Sequence, residues 1–291
     1  MLNEGFARLL AIAAIPVMIA GCQTMAGADK DILAAPAKLE APTKTTGVLQ
    51  KLPPPARQLE VAVYEFPDQT GQHKPSGDKH YAEFSRAVTQ GGADILIDVL
   101  REAGGGTWFD VVERRRLPSL LQEREIIEVM HKAAGKPLKI QSLRVAGLLL
   151  EGGIVGYDTN ETTGGLGARL LGIGGHTQFR RDVVTVALRA VSVQTGRVLA
   201  SVTTTKTIYS ALLQGTTFKF VAVDDLLEID TGVTRNHPTT LAVREAIQLA
   251  VYALLLEGIE SGLWEFADPA KKSELLSSYV EDYRPQLSGL Y

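Results

Sequence analysis

The sequence predicts an α/β (α+β) domain with two inserted β-hairpins that close, by oligomerisation, into a transmembrane β-barrel. Three observations carry this. Strand-like and helix-like patterns alternate over residues 59–268, as in a compact α/β domain. Two segments, 158–182 and 203–221, sit between good strands yet are too long for ordinary hairpin loops. The N-terminus has the layout of a signal peptide that ends at a cysteine.

The chain has 291 residues, 45% hydrophobic and 22% charged, within the ordinary globular range. A net charge of −3 gives no nucleic-acid footprint. Past the N-terminus no stretch is read as having the ~20 apolar residues of a membrane helix. A membrane role therefore falls to strands.

Residues 1–21 read as a lipoprotein signal peptide. Arg8 precedes the apolar core Leu9–Met18, and Ile19-Ala20-Gly21 leads into Cys22, the one cysteine of the chain. Small residues before a cysteine suit lipoprotein processing, so Cys22 is expected to carry covalent lipid and to begin the mature protein. Two or more acyl chains anchor stably where one is marginal. Gln23, rather than the aspartate of inner-membrane retention, points to the outer membrane. Residues 22–58 are rich in Ala, Pro, Lys and Thr without periodicity, and read as an extended tether.

The folded part is expected to begin at Leu59. Glu60–Phe66 alternates like a strand. A long polar loop follows, of a length that is usually functional. Phe84–Ala103 reads as a helix ended by Gly104-Gly105-Gly106. Trp108–Val112 is a strand. Leu117–Ala134 is a helix whose apolar set is Leu117, Leu120, Leu121, Ile127 and Met130. The continuous run Ala146–Leu150 opens a strand expected to be buried on both faces. Val183–Val193 and Arg197–Thr205 are strands joined at Thr195-Gly196. Thr239–Gly262 is a long helix, and residues 269–291 hold a last helix and a polar tail.

Both insertions alternate as membrane strands do. In the first, Leu166, Ala168 and Leu170 fall on one face, assigned to lipid, while Gly165, Gly167 and Arg169 fall on the other. On the return, Thr177 and Phe179 take the lipid side and Gln178 and Arg180 the lumen side. In the second, Thr205, Thr207, Tyr209, Ala211 and Leu213 are assigned to lipid, and Thr204, Lys206 and Ile208 to the lumen. Phe218 and Phe220 then take the lipid side and Lys219 the lumen. A Lys or Arg facing lipid at the midplane costs ~2–4 kcal/mol, which favours a lumenal Arg169, Lys206 and Lys219. Two long soluble hairpins fit the alternation as well; the cysteine-ended signal peptide favours the membrane. Four strands cannot close a barrel, and an open edge in lipid leaves backbone groups unsatisfied. The membrane reading thus requires a homo-oligomeric ring.

Competing chemistry finds little support. Gly164–Leu170 lacks the third glycine of a dinucleotide loop, and no Lys-Ser or Lys-Thr pair stands at phosphate-loop spacing. His73, His80, His131, His176 and His237 lack metal-ligand spacing. The chain is not read as an enzyme, and no cofactor is expected.

The ordered motifs Thr70-Gly71-Gln72, Val112-Glu113-Arg114, Leu120–Arg124, Leu150–Tyr157, Gly164–Arg169, Thr205–Ile208 and Gly258–Trp264 resemble the CsgG family of curli production and transport lipoproteins. The resemblance covers roughly residues 59–266 and the lipidation site. It implies a nine-subunit ring, a thirty-six-stranded barrel on a periplasmic vestibule, and passive export of unfolded curli-type fibre subunits. It also implies accessory secretion proteins at the periplasmic side and at the surface. The family's constriction carries a Tyr, then an Asn-Phe pair entering the first helix. Phe84 matches that Phe, Glu83 stands in place of the Asn, and Tyr81 is the nearest tyrosine. The loop after Lys74-Pro75 is longer here. Two other readings remain open: a surface anchor for adhesive, holdfast-like material, and a soluble periplasmic regulatory lipoprotein without a pore.

Overall fold

The computed structural model describes residues 42–71, 88–136, 138, 140–163, 178–213, 217–221 and 238–284. Residues 1–41, with the expected signal peptide and Cys22, lie outside them.

From residue 43 the chain does not run as the extended tether that composition suggests. Helix α1, Lys44–Gln50, opens on a capping box in which Thr43 and Thr46 satisfy each other's backbone N–H groups. Fully buried Gln248 ties this cap to the body of the domain: its Oε1 accepts from Thr43 Oγ1 (2.8 Å) and its Nε2 donates to Thr46 Oγ1 (2.8 Å). Leu49 and Leu52 are buried, and the Pro53 carbonyl accepts the Trp108 indole N–H at 2.9 Å. Ala56 N donates to Glu265 O and Ala267 N to Pro54 O, both at 2.9 Å. Proline suits such an edge because it has no N–H to leave unpaired. One helix of seven residues is too short to show as periodicity, which hid it in the sequence.

One sheet follows, in the order β2-β1-β3-β4-β5-β6. β1, Leu59–Val63, runs parallel to β2, Phe109–Glu113, and to β3, Leu148–Thr163. β4, Gln178–Ser192, β5, Val198–Leu213, and β6, Thr217–Val221, continue antiparallel. Helices α2, Gly92–Glu102, and α4, Pro238–Glu260, cover one face. Leu96, Val99, Leu100, Ile247, Val251 and Leu254 there meet Leu150, Ile154, Val184, Val186, Leu188 and Val202. Burying side chains of this size is worth ~1.5–3 kcal/mol each, so this face supplies the core.

The other face is polar. Glu151 and Arg189 pair across β3 and β4 at 2.9 Å, and the hydroxyls of Thr185 and Thr205 meet at 3.2 Å. The sheet is therefore one-sided, as antiparallel sheets often are. At its parallel end a small second cluster of Ala62, Val112, Ala146 and Leu149 lies apart from the main core. Of the Ala146–Leu150 run, expected to be buried on both faces, Ala146 and Leu150 are buried, Leu148 and Leu149 half-buried and Gly147 exposed.

Three elements differ from expectation. α2 begins at Gly92 rather than Phe84; residues 84–87 lie outside the described ones, and 88–91 are not helical. A Cβ on Gly92 would stand 2.7 Å from the Phe66 carbonyl oxygen, so the helix starts where the chain must pass close to β1's exit. α3, Leu117–Ala133, has no buried residue, and Leu121 and Met130 are 49% and 65% exposed. The described residues leave its apolar side chains exposed. α4 is long and apolar enough to cross a membrane, contrary to the expectation that no such stretch exists. It is instead the central core helix, with Ala242, Ala246, Ala250 and Leu255 fully or almost fully buried.

The last helix, α5, Lys271–Tyr283, docks on α4 through tyrosines. The rings of Tyr252 and Tyr279 meet edge to face at 5.9 Å, and Tyr279 donates to Glu257 Oε1 at 3.2 Å. Burial, then the nearby Tyr283 and Asp282, pushes the Tyr252 phenol up to about 12. Burial and the Glu257 carboxylate raise Tyr279, and burial and Asp282 raise Tyr283.

Candidate functional site

The two insertions are not separate hairpins. β3 pairs with β4 from Leu148↔Ser192 to Thr163↔Gln178, interrupted by one bulge at Ile154/Gly156. β4 pairs with β5 as far as Phe179↔Ala211, and β5 with β6 as far as Leu213↔Thr217. The core strands therefore run on into the inserted segments as one four-stranded antiparallel sheet. β3 and β5 are each 16 residues long, ~50 Å at strand rise, which exceeds what the core needs.

Among the residues whose burial is described, Tyr157, Asp182 and Ile208 are the outermost buried positions on the helix side, with Tyr157 Oη donating to Asp182 Oδ1 at 3.0 Å. Just below, Thr204 Oγ1 donates to the Ala246 carbonyl at 2.8 Å, and Lys206 Nζ lies 2.6 Å from Glu245 Oε2. Residues 203–208 thus belong to the domain, not to a free hairpin. Lys206 is answered by a helix carboxylate, so at its level the strand face assigned to the lumen is covered by α4. The expected lumenal Lys206 is instead found against α4, because sequence alternation could not show what lay over that face.

The register also tests the facing pattern, because directly opposed residues share a sheet face. Thr162, Phe179 and Ala211 stand in one row, and Glu161, Arg180 and Ser210 in the next. The register thus sets residues that share an assignment opposite one another in β3, β4 and β5. β6 is out of phase: Ala211 faces Lys219, and Leu212 faces Phe218. A lumenal Lys219 and a lipid-facing Ala211 cannot both hold. The pairing of Leu213 with Thr217 sets this, since one pair fixes the register of the whole ladder. Arg169, Tyr81, Glu83 and Phe84 lie outside the described residues.

At the two outer edges of the extension, no further strand is paired among the described residues. Among the described residues, β3 beyond Ile154 pairs only with β4, and β6 pairs only with β5. At Ile154 itself the chain leaving β1 is held: Gln69 N donates to Ile154 O (2.9 Å), and Ile154 N to Pro67 O (3.0 Å). A Cβ on Gly153 would lie 2.7 Å from Pro67 O, so this close passage needs glycine.

Residues missed by sequence reasoning sit at this neck. Asp68 is 8% exposed. Its Oδ1 accepts from Thr70 N (2.9 Å) and Thr70 Oγ1 (2.6 Å), and its Oδ2 from Gln90 Nε2 (3.1 Å). Gln90 Nε2 also donates to Val88 O at 3.1 Å. The Asp-x-Thr turn was a legible signal for the first two bonds. The third joins positions far apart in sequence and had none.

Residues 44–279 match the family model described as "Curli production assembly/transport component CsgG". The chain is 37% identical over 284 residues to the protein of that description from Salmonella typhimurium, covering 94% of this chain and 97% of that one. It is 39% identical over 236 residues to the one from Escherichia coli K12, covering 79% and 83%. Among solved structures, a PelC dodecamer from Paraburkholderia phytofirmans aligns over 69% of this chain and 92% of that one. Its identity of 16% and TM-score of 0.29 are too low to carry a comparison of architecture.

Proposed function

The chain belongs to the CsgG family of curli production assembly/transport components, and from that premise we propose that it is one subunit of an outer-membrane secretion channel. The role is transport rather than catalysis. The observation that carries it is the continuous β3–β6 sheet, in which, among the described residues, no further strand pairs with β3 beyond Ile154 or with the outer side of β6. Backbone groups at a free edge cannot be left in hydrocarbon. The edge of β6 in one copy and the upper edge of β3 in the next are complementary, and repetition closes a barrel. The uncovered apolar face of α3 supports lateral contact between copies. Nine copies would supply thirty-six strands, about the largest number known for a barrel.

In this reading Cys22 carries the lipid, the core domain forms a periplasmic vestibule, and Arg169 lines the lumen. The loop between β1 and α2 repeats around the axis as a collar that Tyr81, Glu83 and Phe84 line. Aromatic rings there give an unfolded, curli-type subunit a sliding surface of weak contacts, and passage requires contacts weak enough to release. Accessory secretion proteins would meet the vestibule and the outer rim.

Electron microscopy of detergent-purified protein, with planar-bilayer recording of the same preparation, tests this. Rings with an axial pore that carry current are expected. Monomers without current would overturn it, and closed rings without current would favour the adhesive-anchor reading instead.

A further inference from the structure

We propose that α3 of each copy lies on the polar sheet face of the next copy, on a shelf that β4 and β5 form below the barrel. The inference rests on the channel reading above, because the seam between copies sets which surfaces meet. The subunit is stepped at its two sides. Beside β3, strands β1 and β2 flank the lower part, where β1 pairs at Leu148 and Leu149. Beside β5, strand β6 flanks the upper part, from Tyr209 to Leu213. β3 and β6 run in opposite directions, as neighbours in such a barrel do. Joining β6 to the upper part of β3 in the next copy brings that copy's β2 side under β6. It then stands against the lower part of β5, about 10 Å out from β3 at ordinary strand spacing.

Helix α3 hangs on that β2 side. The connections β1–α2–β2 and β2–α3–β3 step across the sheet in opposite directions. Right-handed crossovers then put α2 and α3 on opposite faces. α2 packs on the core face, so α3 belongs to the polar one. It does not settle on its own sheet: it has no buried residue, and Leu121, Val129 and Met130 are exposed.

The shelf suits a helix. Ala187 opposes Thr203, and Thr185 opposes Thr205, so short side chains line it across both strands. It continues into a groove of about 610 Å³ whose charged lining is three arginines, Arg114, Arg115 and Arg189, against Glu65 and Glu151. α3 carries the reverse excess, Glu123, Glu125 and Glu128 against Arg124 and Lys132. Two different surfaces of one chain meet in this contact. It is therefore head-to-tail, and such contacts build rings rather than closed pairs.

Val129 and Thr203 are both exposed, so cysteines there leave the fold intact. Two differently tagged chains, one with Val129→Cys and one with Thr203→Cys, are co-expressed, and their rings are treated with a bifunctional thiol reagent. A cross-linked pair carrying both tags is expected, and rings lacking either cysteine should give none. Rings with an axial pore but no doubly tagged pair would overturn the contact and leave the channel reading standing. With both cysteines in one chain, a cross-link closed within that chain would place α3 on its own sheet and also overturn it. Wild-type chains that stay monomeric would instead overturn the channel reading.

Discussion

Gly47 and Gly258 both lie in helices and meet opposite surroundings. A Cβ on Gly47 in α1 would touch nothing within 4 Å. Gly47→Ala should therefore stabilise the domain by ~0.4–1 kcal/mol through a less flexible unfolded chain. A Cβ on Gly258 in α4 would fall 2.0 Å from the Trp264 ring. That ring cannot retreat, because its N–H donates to Leu255 O at 2.7 Å inside the core. Gly258→Ala should cost ~1–3 kcal/mol or more by overpacking. Denaturant midpoints of the two variants should move in opposite directions. Equal shifts would mean that the close approach of Trp264 is wrong. The motif Gly258–Trp264 was visible in the sequence, but its reason, a glycine under an indole, appears only when the chain folds back.

Among the elements, α5 and β6 each make a prediction. The tyrosines that dock α5 on α4 are neutral at ordinary pH, and their folded pKa values lie above the unfolded value of about 10. An acid with a raised folded pKa binds more protons folded than unfolded once the unfolded group ionises. Its contribution is thus complete below about pH 10 and is lost as pH rises toward about 12. The docking of α5 should loosen in that window, seen as a tyrosinate absorbance step coupled to faster proteolysis of the C-terminal helix. Tyr279→Phe removes its share of the step; an alkaline transition of unchanged size would place the cause elsewhere. For β6, single cysteines in place of Ala211 and Lys219 should react alike with a water-soluble thiol reagent in assembled rings. Leu212 and Phe218 positions should form the opposite class. Lys219 reacting with the Leu212 class would show that assembly shifts the register across the turn.

At the scale of the whole molecule, the described residues leave two features open: a sheet whose outer strands β3 and β6 have no further strand beside their extended parts, and a helix α3 with no buried residue. Both would be filled by neighbouring copies. Val129 is 61% exposed, so Val129→Asp should leave the subunit's own fold intact while lowering the yield of rings in size-exclusion chromatography. Rings formed at wild-type yield would remove α3 from the contact. A second test concerns the anchor. After Cys22→Ser, a barrel should stay with the membrane fraction through urea extraction, whereas a tethered soluble domain should wash off.

Alternation with period two, punctuated by glycine, is written locally, and so the sequence by itself determined that strands lie at β1 to β5. The long helix α4 and the last helix were also legible locally, whereas the membrane-spanning length of α4's apolar run was not. What only tertiary structure decided depends on residues distant in the chain. Gln248 captures the Thr43–Thr46 cap, so part of the supposed tether joins the core. Glu245 answers Lys206 and places that lysine below the free sheet. The pairing of Leu213 with Thr217 sets Lys219 opposite Ala211. Asp68 finds Gln90 across the base of a long loop. Local pattern states which face of an element is apolar or polar; only the packed chain states what that face meets.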